Sequence, residues 1–155
     1  MSWCLLLTGM PNSGKSTIAY QLVQKEVRNA LVIDGDKHRE MQFLGRKLGF
    51  TKEDVLANNE HVIKLAQFAQ EQGFNVIIAQ IAPYLEQRMQ MRKRLKRFFS
   101  VYCECYKDIR RNRPNFVDTE LLYEPGDFNL VVDTGITYLE KCVENILGAM
   151  LWGDK

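Results

Sequence analysis

The sequence predicts an α/β protein of three layers, a five-stranded parallel sheet between two layers of helices. Three observations carry that expectation. Short segments that are apolar at nearly every position recur along the chain, the pattern of strands covered on both faces. Helix-patterned segments separate them, which is the alternation of βαβ units. The first strand also runs straight into a glycine-rich turn, Gly9-Met10-Pro11-Asn12-Ser13-Gly14-Lys15-Ser16 followed by Thr17.

Taken in order, Trp3-Cys4-Leu5-Leu6-Leu7 is the first strand, residues 17–25 the first helix, and Ala30-Leu31-Val32-Ile33 the second strand, ending at Asp34-Gly35-Asp36. Thr51 and Asp54 are spaced as a capping box, a hydroxyl at the cap and an acid three residues on. They open a long helix that stops at Gly73, with Val55, Asn58, Val62, Leu65 and Ala69 as its inward stripe. Asn58 is polar on an apolar face and needs a partner, either a ligand or a nearby backbone group. Val76-Ile77-Ile78-Ala79 is the third strand, residues 85–96 a basic helix, 98–104 the fourth strand and 106–112 a short helix. Leu130-Val131-Val132-Asp133 is the fifth strand, and 137–151 a closing amphipathic helix. With no repeat and no linker, residues 1–155 are expected to form one domain.

Composition narrows the function classes. A net charge of +2 gives no support to a general nucleic-acid binder. The run Lys93–Arg97 reads first as a solvated face. No apolar run approaches the ~18 residues of a membrane span, and residues 3–7 are too short for a signal peptide. Cys4, Cys103, Cys105 and Cys142 lack metal-binding spacing, so a reduced, cytoplasmic protein is expected.

The pattern of residues 9–16 is G-x-x-x-x-G-K-S. Between a strand and a helix, such a turn points successive N–H groups inward as a nest for phosphate oxygens at the helix's positive end. Lys15 would then reach the β- and γ-phosphates, and Ser16 would ligate Mg²⁺. Ligands of an open parallel sheet gather at the strands' carboxyl ends, where Asp34 and Asp36 also fall. One of the two acids would serve the Mg²⁺ shell, while the other faces an attacking hydroxyl and accepts its proton. Asp36 could equally cap a helix from Lys37 onward. The third strand ends at Gln80, without the acid a motor ATPase places there.

Beyond the loop, the ordered signals Asp34-Gly35-Asp36 with Arg39, Leu48-Gly49-Phe50 with Asp54 and Asn58, Ile81 with Pro83-Tyr84, Arg88 and Arg92, and Tyr123-Glu124-Pro125 cover nearly the whole chain. Together they resemble the adenylylsulfate kinases, which phosphorylate the 3′-hydroxyl of adenylyl sulfate with MgATP. The resemblance implies the P-loop kinase fold, ATP and Mg²⁺ as cofactors, a small nucleotide as substrate and a place in sulfate assimilation. It makes Gly9, Asn12, Ser13, Gly14, Lys15, Ser16, Thr17 and the lid arginine Arg113 the ATP site. It makes Ser16 and Asp34 the metal ligands, and Asp36 and Lys15 the catalytic pair. Asp36, Arg39, Phe50, Asn58, Ile81 and Phe116 become acceptor contacts, with Phe50 and Phe116 as stacking faces. Without the resemblance, Phe50 reads equally as a hydrophobic plug.

The chain departs from the family in three places. Val55 stands where an arginine usually follows the acid, His61 stands at another arginine, and the lid after Arg113 is short, with Asn115-Phe116 as a remnant. All three touch the acceptor. The expected activity is therefore an adenylylsulfate kinase-like phosphotransfer to a hydroxyl. Its alternatives are a cytidine diphosphoramidate-like acceptor and a nucleotide-binding regulatory module without transfer. The sequence leaves a homodimer open.

Overall fold

Alternate residues of one buried strand build both halves of the core. The protein, described from a computed structural model over residues 2–25, 27–114, 116 and 122–153, is arranged around β1 (Cys4–Thr8), every residue of which is buried. Leu5 and Leu7 point to one side of the sheet and Cys4 and Leu6 to the other, as the period of two requires. β1 pairs in parallel with β3 (Asn75–Ala79) and β4 (Phe98–Glu104), and β2 (Ala30–Asp34) and β5 (Leu130–Asp133) form the edges. The order is β2-β3-β1-β4-β5.

Helices α1 (Lys15–Lys25) and α6 (Leu139–Gly153) cover the Leu5 face through Ile18, Leu22, Val143 and Ile146. Helices α3 (Lys52–Glu71) and α4 (Leu85–Arg94) cover the Cys4 face through Val62, Ile63, Ala66 and Met91. The predicted three-layer, five-stranded parallel fold is therefore the observed one. The apolar runs of the edge strands are not covered on both faces, however: Leu31 and Val131 are 45% and 52% exposed, because an edge strand has a neighbour on one side only.

Local departures have local causes. The basic helix ends at Arg94, and Leu95 turns inward to be buried. A short helix α2 (Gly35–Glu40) follows β2 and is capped by Asp34, not Asp36. Half of the expected capping box forms: the Thr51 hydroxyl accepts from the Asp54 N–H at 3.2 Å, but the Asp54 carboxylate accepts from Gly49 N–H and pairs with Arg46. In α3 the buried stripe is Asn58, Asn59, Val62, Ile63, Ala66, Ala69 and Gln70, with Val55 and Leu65 half-buried.

The carboxyl ends of all five strands face one edge, and Gly9 lets the chain leave β1 there. Its φ is +150°, and a Cβ on it would lie 2.6 Å from the backbone carbonyl oxygen of Cys103. That neighbour belongs to β4 and has little freedom to move. Gly9→Ala is expected to lower the unfolding free energy by about 2–4 kcal/mol, read as a lower urea midpoint at unchanged slope.

Candidate active site

The turn after β1 takes its shape from three residues of positive φ, Gly9, Asn12 and Gly14. Two are glycines, for which this conformation carries no steric cost, and asparagine is the side chain that best tolerates it. The loop delivers the N-terminus of α1, with its unpaired N–H groups, to the strand ends. Lys15 is folded back over the loop, its Nζ donating to Gly9 O at 2.9 Å and Met10 O at 2.7 Å. Burial pushes its ammonium down to about 8, against the opposing pull of Asp36 and Asp34.

Ser16 Oγ donates to Asp34 Oδ2 at 2.8 Å, and Asp34 Oδ1 accepts from the N–H groups of Asp36 and Lys37. The hydroxyl and carboxylate oxygens expected to share a metal are thus already adjacent. Asp36 projects from the first turn of α2, its side chain 79% exposed and in contact with Arg39. The Arg39 guanidinium lies 4.4 Å from the centre of the Phe50 ring. Phe50 is 52% exposed, which rules out a buried plug. The adjacent Gly49 N–H donates to Asp54 at 2.8 Å. This bond, with Arg46 beside it, holds the Asp54 carboxyl below its usual range.

A single cleft of about 980 Å³ joins these groups, at the upper end of the range for ligand pockets. Its lining includes Asn12, Gly14, Lys15, Ser16, Thr17 and Arg113 from the loop side and, with them, Asp36, Arg39, Phe50, Asn58 and Ile81. Gly9 and Ser13 stand behind the wall as loop framework, Ser13 almost fully buried. The lining does not include Phe116, which is half-buried, and Asn115 lies outside the described residues. Arg113 spans the loop and the β5 turn, donating to Asn12 O at 2.7 Å and Thr134 O at 2.8 Å. Arg110 donates to Pro11 O at 3.1 Å. Ile81 accepts from Thr8 Oγ1 through its carbonyl. Asn58 finds a side-chain partner, His38 Nδ1, 2.7 Å from its Oδ1.

Residues the sequence did not single out complete the wall. Ile136 and Tyr138, 77% and 67% exposed, extend the cleft lining with an apolar surface. Asp133 shapes their turn by accepting from the N–H groups of Gly135 and Ile136. An exposed isoleucine and tyrosine in a short turn carry no periodic signal, so only the fold reveals them. The arginines of α4 differ in burial, Arg88 being buried, Arg94 half-buried and Arg92 exposed. Arg88 is buried, donating to Ala82 O and Glu124 O and lying over Tyr123. Arg94 pairs with Glu60 through both terminal nitrogens. Cys4, Cys103 and Cys142 are buried free thiols, with Cys103 pushed up to about 12 by burial. Among the described residues no helix is long and apolar enough to cross a membrane.

Comparison with known proteins agrees with this fold. The family model for adenylylsulphate kinase matches residues 1–136. The chain is 33% identical to a probable adenylyl-sulfate kinase of Bacillus subtilis, over 92% of this chain and 82% of that one. It is 28% identical to a cytidine diphosphoramidate kinase of Campylobacter jejuni, over 94% of each. Its fold matches the Mycobacterium tuberculosis APS kinase, solved in complex with AMPPNP and APS, at a TM-score of 0.82 and 22% identity, covering 97% of this chain and 98% of that one. At that identity the likeness speaks for the fold alone.

Lys15 gives a pH test. Its proton is held more weakly in the folded protein than in the unfolded chain, so this group's contribution to stability rises as pH climbs from about 8 towards 10.5. A polyphosphate bound at the loop needs the charged form. The affinity for tripolyphosphate, measured calorimetrically, is therefore expected to lose its Lys15-dependent part above about pH 8, by up to about tenfold per pH unit. In Lys15→Ala that dependence disappears along with most of the binding.

Proposed function

The chain belongs to the adenylylsulphate kinase family, and we propose that it transfers the γ-phosphoryl group of ATP to the 3′-hydroxyl of adenylyl sulfate. The family makes it an ATP-dependent nucleotide kinase with a hydroxyl acceptor; the proposal concerns the acceptor and the residues that serve it. The observation that carries it is the shared cleft, lined by Lys15 and Ser16 and, with them, by the exposed carboxylate of Asp36 beside Arg39 and Phe50.

On this reading residues 1–155 act as one kinase domain. The loop N–H groups and Lys15 hold the phosphates, and Arg113, bonded among the described residues to two neutral carbonyls, offers its charge to them. The residues fit Mg²⁺, since Ser16 Oγ and Asp34 Oδ2 are hard oxygen donors 2.8 Å apart. When bound there, the ion neutralises phosphate charge. Phe50 stacks on the acceptor base, and Arg39, Asn58 and Ile81 contact the rest of that nucleotide. Asp36 accepts the 3′-hydroxyl proton as that oxygen attacks the γ-phosphorus in line and ADP leaves. With this acceptor the protein serves sulfate assimilation in the cytoplasm.

A second reading has a specific support. Val55, an apolar side chain, lines the acceptor end, and a relative of similar length is a cytidine diphosphoramidate kinase. On that reading the acceptor is a cytidine diphosphoramidate-like nucleotide. A coupled ADP-release assay with both compounds separates the two. Turnover of the cytidine compound without turnover of adenylyl sulfate overturns the first reading.

Two substitutions probe the roles. Asp36→Asn is expected to lower kcat by about 10²–10⁴-fold with the KM for ATP little changed; an unchanged kcat removes the base assignment. Val55→Arg adds a cation at the acceptor end and is expected to lower the KM for adenylyl sulfate by about tenfold.

A further inference from the structure

The two histidines of the chain, His38 and His61, meet behind the cleft in a place the phosphotransfer leaves unexplained. His38 is buried on α2, its Nδ1 2.7 Å from Asn58 Oδ1 and its Nε2 2.6 Å from His61 Nδ1. Phe43 stacks against both rings, with centroids 5.1 Å from His38 and 4.9 Å from His61. The contacts dictate the proton positions. A carboxamide oxygen only accepts, so His38 Nδ1 carries the hydrogen. In the neutral ring Nε2 then accepts, and the hydrogen between the two rings belongs to His61 Nδ1. Burial, together with the neighbouring His61 and Arg39, disfavours a charged His38, against the opposing effect of its hydrogen bond to Asn58.

The consequence falls on Asn58. It is 8% exposed and lines the cleft, and its oxygen is taken by His38. Among the described residues its Nδ2 has no protein partner. A buried amide with two unpaired hydrogens is costly, and the cleft is where a partner would meet it. We propose that His38 is a positioning residue for acceptor recognition: by holding Asn58 Oδ1 it turns the Asn58 N–H donors to the acceptor end of the cleft, selecting a nucleotide that presents an oxyanion or an unprotonated ring nitrogen there. His61 fixes the His38 tautomer, and Phe43 holds the two rings in register. An amide turned the other way would present its oxygen and select an N–H donor instead, so this contact sets the polarity of recognition. The inference rests on the reading that the Asp36–Phe50 end receives the acceptor.

The experiment has a part that is independent of that reading. In the ¹⁵N-labelled full chain, the ring-nitrogen shifts of the two histidines at pH 7.5 are expected to report the Nδ1–H tautomer for both. An Nε2–H tautomer at His38 overturns the proposal. With adenylyl sulfate as the probe, His38→Leu is expected to raise the acceptor KM about tenfold while the KM for ATP and kcat stay near wild type. His38→Asn, whose Nδ2 sits about where the imidazole Nδ1 does, is expected to restore the acceptor KM to within about threefold of wild type. An acceptor KM unchanged in the leucine variant, or equal impairment in both variants, overturns the proposal. Failure of the wild type to phosphorylate adenylyl sulfate removes the acceptor assignment above, and the tautomers still decide whether Asn58 is oriented as stated.

Discussion

Both oxygens of the Asp34 carboxylate are committed, and the two commitments face different elements. Oδ2 accepts from Ser16 on the first turn of α1, and Oδ1 accepts from the N–H groups that open α2. The residue closes β2, whose pairing to β3 extends to Asp34 itself, opposite Ala79. One side chain therefore ties the phosphate loop's helix to the helix that carries Asp36 and Arg39. The tie also needs Gly35, where a Cβ would lie 2.8 Å from Gln80 Cβ. Only a glycine lets α2 start this close to the end of β3, which keeps Asp36 over the same cleft as Lys15.

The loop end is held from the other flank by groups distant in sequence. Arg110 and Arg113 grip the carbonyls of Pro11 and Asn12, and Thr134 Oγ1 donates to Ser13 O at 2.6 Å. These are charge-assisted or short bonds to the carbonyls of the loop. A second cluster gathers around Tyr123. Tyr123 donates to or accepts from Thr8 Oγ1 at 2.7 Å and stacks near Tyr102 and Phe128, beneath the Arg88 guanidinium. Burial pushes the Tyr123 phenol up to about 12, so it stays a neutral hydrogen-bonding group. Arg113 and Tyr123 are thus each tied by their side chains to the strand ends and the loops that follow them.

The strands and their parallel pairing were legible because β1 and β3 are buried on both faces, and such strands need apolar residues at every position. The same signal misjudged β2 and β5, since a run of valine and leucine does not say that its strand lies at an edge. Asp34 as cap was hidden by chemistry that Asp36 shares; which of two neighbouring acids caps a six-residue helix depends on where β2 stops. Asn58 was legible as an anomaly, a polar residue in an apolar stripe, but its partner comes from another helix and no spacing rule reaches that far. The stretch 9–17 was fully legible, because strand, glycines, lysine and helix follow each other along the chain and need no tertiary contact to be recognised.

The distribution of cations completes the physical case for a small, highly charged ligand. On α4, Arg88 is buried against carbonyls and rings, Arg92 bonds Ser100 and Asn129, and Arg94 is paired with Glu60. On that helix each of the three arginines is engaged by groups of its own domain. In the cleft the arrangement is reversed. Lys15 and Arg113 touch neutral carbonyls, and Arg39 shares one exposed carboxylate. Low-dielectric walls concentrate the field of these three charges, and Arg113, Lys15 and Arg39 all line the same cleft. A ligand that brings phosphates into that cleft meets two cations held by neutral carbonyls and a third paired with the Asp36 carboxylate.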